Sequence, residues 1–386
     1  MCIRGAAETS STSREHLIAT WLKKTCQEAH DILNKPDVLV TNKKDKEVML
    51  PTVKRMNATV KEVFQRINPH STVWLELKGN TLDIQKEAAN EVLEVYRDTP
   101  LNVISVCGPL RIGKSYLMNS LLEMDSVFGV SSQNVSFTRG IHLSSLLLPY
   151  SRLIPSEATE PRIAFCDMEG QDDQGDAYDI KLATPLLIIS KVVILMILGK
   201  PPKERILQTL MKMIMAAKQV RKPLPADVVE VVDGDEADEL SRTDLFGNLH
   251  VVLRDVNTDE AECHRIIFEM EDETSAPSRM QRDAIKSRNA IRTEIFDVFE
   301  SEPKTWCLPS LTLAKGKAPS PNYRELTVDG AAEYIAKIDK LRAFICMQLS
   351  QPKQLDGKAL TAGMISDLME MLKDALMSDD PALNPP

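Results

Sequence analysis

The 386-residue chain has no apolar run long enough to cross a membrane as a helix, which takes about 18 to 20 residues. Its longest candidate, residues 182–198, is interrupted by Pro185 and Lys191. The N-terminal residues also lack the apolar core of a secretory signal peptide. We therefore expect a cytoplasmic protein without a transmembrane segment, and peripheral contact with a membrane stays open.

Cysteine is scarce and scattered, since the seven cysteines include no Cys-x-x-Cys pair. That spacing argues against zinc and thioredoxin-like sites and is typical of reduced thiols. Positive charge is also in deficit, because 47 basic side chains face 56 acidic ones and the net charge is −9. Contacts with nucleic-acid phosphates need a basic surface, so we expect no nucleic-acid partner.

The first 72 residues differ in charge from the rest of the chain. They carry 12 basic and 8 acidic side chains, a net charge of +4 against −9 for the whole chain. Apolar residues recur at helical spacing in residues 17–33 and 53–67, which predicts a largely helical extension. Two interpretations stay open: two amphipathic helices packed on the main domain, which we favour, or a basic arm that binds a membrane surface or a partner.

From residue 73 onward, segments typical of strands alternate with segments typical of helices. Strands are predicted at residues 73–77, 101–106, 162–166, 192–198 and 250–253. Helices are predicted at residues 83–96, 115–122, 331–349 and 362–377. Alternation of this kind predicts an α/β domain with a mostly parallel central sheet, followed by a short C-terminal helical segment.

Residues 108–115 read Gly-Pro-Leu-Arg-Ile-Gly-Lys-Ser, which fits the phosphate-loop pattern G-x-x-x-x-G-K-[ST]. An apolar strand precedes the loop and a helix follows it, as the pattern requires. Gly108 and Gly113 let the backbone turn around phosphate oxygens, whose charge faces the helix N-terminus. Lys114 would reach the β- and γ-phosphates, and the Ser115 hydroxyl would bind Mg²⁺. The loop predicts a nucleoside triphosphate as ligand.

Two further segments extend this site toward the γ-phosphate. Asp167-Met168-Glu169-Gly170 stands at the end of a hydrophobic strand. There, Asp167 can hold the magnesium shell through water and the Gly170 N–H can contact the γ-phosphate. Residues 136–140 read Ser-Phe-Thr-Arg-Gly, and Thr138 in this segment could bind Mg²⁺ and sense the γ-phosphate as a switch loop does.

A third segment concerns the base. Arg254 and Asp255 follow the strand predicted at residues 250–253. A carboxylate at this edge can accept hydrogen bonds from N1–H and the exocyclic amine of guanine, a donor pair that adenine lacks, and Arg254 can lie flat along the base. Two alternatives stay open: a surface ion pair, or an ATP-using enzyme in which Asp255 does not read the base.

Together these motifs resemble the guanylate-binding protein and atlastin group of large, dynamin-related GTPases. The resemblance covers residues 73–320 as the GTPase domain, with residues 306–309 similar to the strand that follows the family's guanine-cap region. Residues from 353 onward resemble the start of the helical domain of guanylate-binding proteins. That domain is normally long, so the resemblance implies either a truncated member of the family or a partial sequence. The implied domains are therefore residues 1–72, 73–320 and 321–386.

The resemblance also implies roles for individual residues. Arg111 matches an internal arginine finger that reaches the phosphates when two GTPase domains dimerise face to face. Ser136 matches a serine that relays the proton of the attacking water, and Glu169 matches a residue that helps to orient that relay. The catalytic residues implied are Arg111, Lys114, Ser136, Thr138 and Glu169. The nucleotide-binding residues implied are Gly108, Arg111, Ile112, Gly113, Lys114, Ser115, Tyr116, Gly170, Arg254 and Asp255. The magnesium ligands implied are Ser115, Thr138 and Asp167.

The expected activity is Mg²⁺-dependent binding and hydrolysis of GTP, stimulated by GTP-dependent homodimerisation. An alternative is a GTP-binding scaffold of low turnover that acts through partners. The alternative is motivated by residues 171–175, which read Gln-Asp-Asp-Gln-Gly where the family more often has Leu-Gly-Asp after the switch glycine, and by the short helical segment.

Overall fold

The structure of the protein, a computed structural model, is described over eleven stretches of the chain. These are residues 69–79, 81–86, 92–130, 140–150, 161–170, 176–200, 203–221, 246–311, 320, 322–355 and 357–376. The helices predicted at residues 17–33 and 53–67 lie outside the described residues, as do Ser136 and Thr138. The described residues from Ser71 onward belong to one compact unit.

A nine-stranded mixed sheet runs through the centre of this unit. Its strands are β1 (Ser71–Lys78), β2 (Thr81–Ile84), β3 (Leu101–Cys107), β4 (Ile141–Ser144), β5 (Leu148–Pro149), β6 (Arg162–Met168), β7 (Ser190–Leu198), β8 (Asn248–Arg254) and β9 (Lys304–Leu308). The order is β2-β1-β4-β6-β3-β7-β8-β9, with β5 paired to β6. Strands β6, β3, β7, β8 and β9 are mutually parallel, which confirms the predicted mostly parallel sheet. Their carboxyl ends therefore meet at one edge.

Seven helices and a small hairpin are present in the described part of the chain. They are α1 (Lys114–Leu122), α2 (Asp176–Ile189), α3 (Lys203–Arg221), α4 (Glu260–Phe268), α5 (Arg279–Val298), α6 (Ala331–Gln348), α7 (Ala362–Leu376), and strands β10 (Gln354–Leu355) and β11 (Lys358–Ala359). No helix among the described residues is long and apolar enough to cross a membrane. The apolar stretch at 182–198 is instead the end of α2 followed by β7.

Two hydrophobic cores lie on the two faces of the sheet, and β3 shows how the sequence builds them. Every residue of β3 is buried, and its side chains alternate between the cores. Val103 and Cys107 belong to one core, whereas Ile104 and Val106 belong to the other. A parallel strand covered on both faces needs apolar residues at consecutive positions, which is why this segment is mostly apolar, with Asn102 and Ser105 as its two polar members.

The two C-terminal helices pack on opposite cores. Helix α6 buries Ile338 and Leu341 in the core that also holds α1, and α7 buries Ile365 and Met369 in the other core. The link between the helices is held by Asn102, a fully buried residue of β3. Its amide donates to the Leu349 and Gln351 carbonyl oxygens at 2.9 and 3.0 Å and accepts from the Lys353 N–H at 2.8 Å. The division of the chain at residues 72 and 320 stays a prediction.

The helix predicted over residues 83–96 is wrong at its start and at its end. Residues Thr81–Ile84 form β2, which pairs antiparallel with β1 so that Leu82 lies opposite Leu77 and Ile84 opposite Leu75. Residues Glu94–Tyr96 form a short 3-10 turn. Leu82 is the one buried residue of β2, and four residues are too few for the alternating pattern of a strand to be recognised against helical spacing.

Candidate functional site

The phosphate loop leaves the carboxyl end of β3 and enters α1, and three of its residues have left-handed backbone. These are Gly108 (φ 136°), Arg111 (φ 61°) and Gly113 (φ 86°). A Cβ at Gly108 would lie 2.1 Å from the Met196 carbonyl oxygen of β7. The loop therefore passes β7 at a distance that only glycine permits.

Lys114 begins α1 with its side chain buried beneath the loop. Its ammonium donates to the carbonyl oxygens of Gly108 at 3.0 Å and Pro109 at 2.9 Å. Burial lowers the pKa of Lys114, and the negative charges of Asp167 and Glu169 act in the opposite direction. The lysine charge is thus placed inside the curve of the loop, where the sequence predicted contact with phosphates.

Ser115 and Asp167 meet at the predicted magnesium site. The Ser115 hydroxyl donates to Asp167 Oδ2 at 2.5 Å, joining the start of α1 to the end of β6. Mg²⁺ prefers oxygen ligands, and nucleotide-bound Mg²⁺ takes only one or two of them from protein. A hydroxyl and a carboxylate side by side fit that ion. Across the described residues no cluster of three or more His, Cys, Asp or Glu side chains could hold a metal, so a site built wholly from such residues is not seen there.

Glu169 and Gly170 continue from β6 and are both fixed by neighbours. The Glu169 carboxylate is buried and accepts through Oε2 from the Gly140 N–H at 2.9 Å and from the Tyr178 hydroxyl at 2.8 Å. A Cβ at Gly170 would lie 2.4 Å from the Cα of Leu110 in the phosphate loop. The glycine therefore lets this segment contact the loop directly.

The predicted base-reading pair stands at the carboxyl end of β8, on the same edge of the sheet. Asp255 has left-handed backbone (φ 61°), and Arg254 and Asp255 expose about a third of their side chains (32% and 33%). The Arg254 Nη1 donates to the Ile112 carbonyl oxygen at 2.8 Å, and its Nε lies 3.6 Å from Asp255 Oδ1. The guanidinium thus holds the phosphate loop, whereas the Asp255 carboxylate, which is equally exposed, is the candidate for contact with a base.

The structure brings together most of the predicted nucleotide-binding residues, with differences in what their side chains do. Arg111 is exposed on the loop. Tyr116 is buried, with its hydroxyl donating to the Ser320 carbonyl oxygen at 3.1 Å and its ring 6.4 Å from that of Tyr334. Burial raises the pKa of Tyr116 to about 12. Any contact of Tyr116 with a nucleotide would therefore come from its backbone.

Sequence reasoning missed Tyr178 and Leu110. Tyr178 holds Glu169 from the first turn of α2, and Leu110 packs against Gly170. Tyr178 belongs to no motif, and Leu110 occupies a position of the phosphate loop at which the pattern specifies no residue type. Both contacts depend on how separate segments meet at the sheet edge. The one available signal is that a buried carboxylate needs hydrogen-bond donors, so the burial of Glu169 would have indicated a donor nearby without identifying it.

A parallel strand that runs into a glycine-rich loop and a helix, beside an aspartate at the end of the next strand, defines a P-loop nucleotide-binding protein. The more particular assignment comes from a family model described as the guanylate-binding protein N-terminal domain, which matches residues 79–350. The chain belongs to the guanylate-binding protein family and carries its GTPase-type domain. No curated protein matches the chain.

Solved structures with a similar arrangement share little sequence with the chain. A bacterial selenocysteine-specific elongation factor, EF-Sec, is 11% identical with a TM-score of 0.30, covering 65% of this chain and 29% of that one. Era in complex with MgGDPNP and a segment of 16S ribosomal RNA is 14% identical with a TM-score of 0.29, covering 68% and 61%. Aquifex aeolicus Era bound to GDP and AlF4⁻ is 14% identical with a TM-score of 0.29, covering 68% and 62%. The chain thus spans less than two thirds of each of these proteins.

Proposed function

We propose that the protein binds and hydrolyses GTP with Mg²⁺. The observation that carries the proposal is the joint placement of Lys114, Ser115 and Asp167. The buried lysine charge and the 2.5 Å hydroxyl–carboxylate pair stand at the start of one helix, beneath a loop built from left-handed backbone. Backbone N–H groups of such a loop attract phosphate oxygens.

Each residue then has a part in phosphoryl transfer. Lys114 would turn from the loop carbonyls to the β- and γ-phosphates, and the Gly170 N–H would donate to the γ-phosphate. Ser115 and Asp167, with Thr138 from outside the described residues, would hold Mg²⁺, which would offset the negative charge of the phosphates. Asp255 would accept from guanine, and Ser136 and Glu169 would orient the attacking water.

The exposure and backbone conformation of Arg111 support the proposal that two copies of the chain dimerise for hydrolysis. It is exposed and stands in the middle of the loop with φ 61°, a strained conformation for a residue other than glycine. We propose that GTP-dependent homodimerisation directs this guanidinium onto the phosphates, where an arginine finger can accelerate hydrolysis by about 10³- to 10⁵-fold. The proposed location is cytoplasmic, and no nucleic-acid partner is proposed.

The test is GTP turnover with Mg²⁺ over a series of protein concentrations, with ATP as the control nucleotide. We expect turnover per molecule to rise with concentration and GTP to be preferred. Arg111→Ala should lower turnover by at least a hundredfold and leave GTP affinity nearly unchanged. Asp255→Asn should weaken GTP binding and leave inosine triphosphate, which lacks the exocyclic amine, less affected. Equal use of ATP and GTP by the unmodified protein would refute the guanine assignment.

A second candidate is a GTP-binding scaffold of low turnover. It is supported by residues 171–175, whose sequence departs from the family pattern directly after the switch glycine. In the same assay it predicts tight GTP binding with turnover that is negligible and independent of protein concentration.

A further inference from the structure

The Glu169 carboxylate is gripped from two sides by elements that do not otherwise contribute to the site. Gly140, directly before β4, donates its N–H to Oε2 at 2.9 Å, and Tyr178 on α2 donates its hydroxyl to the same oxygen at 2.8 Å. The backbone is held as well, because the Glu169 N–H donates to the Gly140 carbonyl oxygen at 2.7 Å. The carboxylate therefore has a fixed orientation.

Both donors are themselves held firmly. Gly140 has φ 68°, and a Cβ there would lie 2.1 Å from the Leu75 carbonyl oxygen of β1, so its N–H has little freedom to turn away. The Tyr178 ring is half-buried and packs against the core beneath α2. Burial and the hydrogen bond to Glu169 raise the pKa of Tyr178, so the phenol keeps its proton and acts as a donor at neutral pH.

The two hydrogen bonds occupy only one of the two oxygens of the Glu169 carboxylate. Both fall on Oε2, and no hydrogen bond from the described residues reaches Oε1. Burial lowers the pKa of Lys114, and the Glu169 charge is one of the neighbouring negative charges that oppose this shift. Oε1 is therefore the oxygen left to accept a further hydrogen bond.

We propose that Tyr178 is a positioning residue for hydrolysis: by holding Oε2 it turns Oε1 of Glu169 toward the attacking water. This inference rests on the proposed GTPase function. It assigns Tyr178 no contact with nucleotide and no proton transfer. The alternative is a purely structural role, in which the bond only ties the segment after β6 to α2.

The first variant is Tyr178→Phe, which removes one O–H group and keeps the ring. Loss of a hydrogen bond to a charged group is large enough to misdirect the carboxylate, so we expect kcat to fall by about tenfold with KM for GTP unchanged. Tyr178→Leu, which also removes the ring, should lower thermal stability further but reduce kcat by the same factor. A kcat that follows stability across the two variants would overturn the inference.

Tyr323 offers a matched control. Its hydroxyl donates to Asp339 Oδ1 at 2.7 Å, which is the same kind of bond, between the turn before α6 and α6 itself. Tyr323→Phe should lower thermal stability and leave kcat at the level of the unmodified protein. An equal fall in kcat for Tyr323→Phe would show that any lost tyrosine–carboxylate bond slows turnover, and would overturn the specific role of Tyr178.

A double-mutant cycle with Glu169→Gln separates positioning from structure. If Tyr178 acts through Glu169, adding Tyr178→Phe to Glu169→Gln should cause no further loss in kcat. Losses that multiply would overturn the inference, as would an unchanged kcat in Tyr178→Phe alone. These outcomes differ from failure of the proposed function, in which the unmodified protein itself shows no GTP turnover above its ATP control.

Discussion

His250 makes folding stability depend on pH in a way that the structure specifies. The side chain is fully buried in β8. Trp306 Nε1 donates to His250 Nδ1 at 2.9 Å, and since an indole nitrogen is only a donor, Nδ1 must be the acceptor. The ring proton therefore sits on Nε2, which donates to Gln348 Oε1 at 2.7 Å. The Phe344 ring meets the imidazole edge-on at 5.8 Å, so the surroundings suit a neutral ring.

The size of this effect on folding stability follows from the lowered pKa of His250. Burial, aided by the Lys304 charge and opposed by the hydrogen bond to Gln348, lowers the pKa of His250 from 6.5 to about 4. As the pH falls, the unfolded chain takes up this proton near pH 6.5 whereas the folded chain takes it up only near pH 4. Stability is therefore fully present above about pH 7, declines between pH 6.5 and 4, and loses about 3 kcal/mol in total.

The assay is urea unfolding at several pH values between 7.5 and 4, comparing the unmodified protein with His250→Gln. Glutamine does not titrate, so the difference in unfolding free energy between the two proteins isolates the contribution of His250 from that of the carboxylates. We expect this difference to shrink by about 3 kcal/mol from pH 7.5 to pH 4. A difference that stays constant over this range would refute a buried neutral His250.

Two further predictions concern the loop and the link between the C-terminal helices. Gly170→Ala should weaken binding of a fluorescent GTP analogue by more than tenfold, because its Cβ would lie 2.4 Å from the Leu110 Cα; unchanged affinity would mean that the two segments separate freely. Asn102→Ala should lower the free energy of urea unfolding by about 2 to 3 kcal/mol, because three backbone groups, two of them in buried residues, lose their partner. A loss below about 0.5 kcal/mol would contradict that account.

Long buried strands and the phosphate loop could be predicted from the sequence because their patterns are local. The strand predicted at 192–198 was found as Ser190–Leu198, and the helix predicted at 115–122 as Lys114–Leu122. Strand β2 could not be predicted, since its four residues are specified by pairing with β1 rather than by their own periodicity. Short strands at a sheet edge owe their conformation to the partner.

The candidate site likewise contains contacts that could be predicted from the sequence and contacts that could not. The contact of Ser115 with Asp167 was predictable, because a phosphate loop and an acidic strand end on neighbouring parallel strands must meet at one edge. The hold of Arg254 on the Ile112 carbonyl was not, since the sequence motif suggested only a surface ion pair or a contact with the base. Side-chain partners chosen across loops leave no period in the sequence.

Strand β8 contributes both to the candidate site and to the packing of the C-terminal helix α6. Its carboxyl end presents Arg254 to the phosphate loop, and four residues earlier the same strand buries His250 against α6 through Gln348. Helix α6 ends at Gln348, within the region of residues 79–350 that matches the family domain. Helix α6 is thus joined through Gln348 to the strand whose carboxyl end carries Arg254, and it packs in the same core as α1.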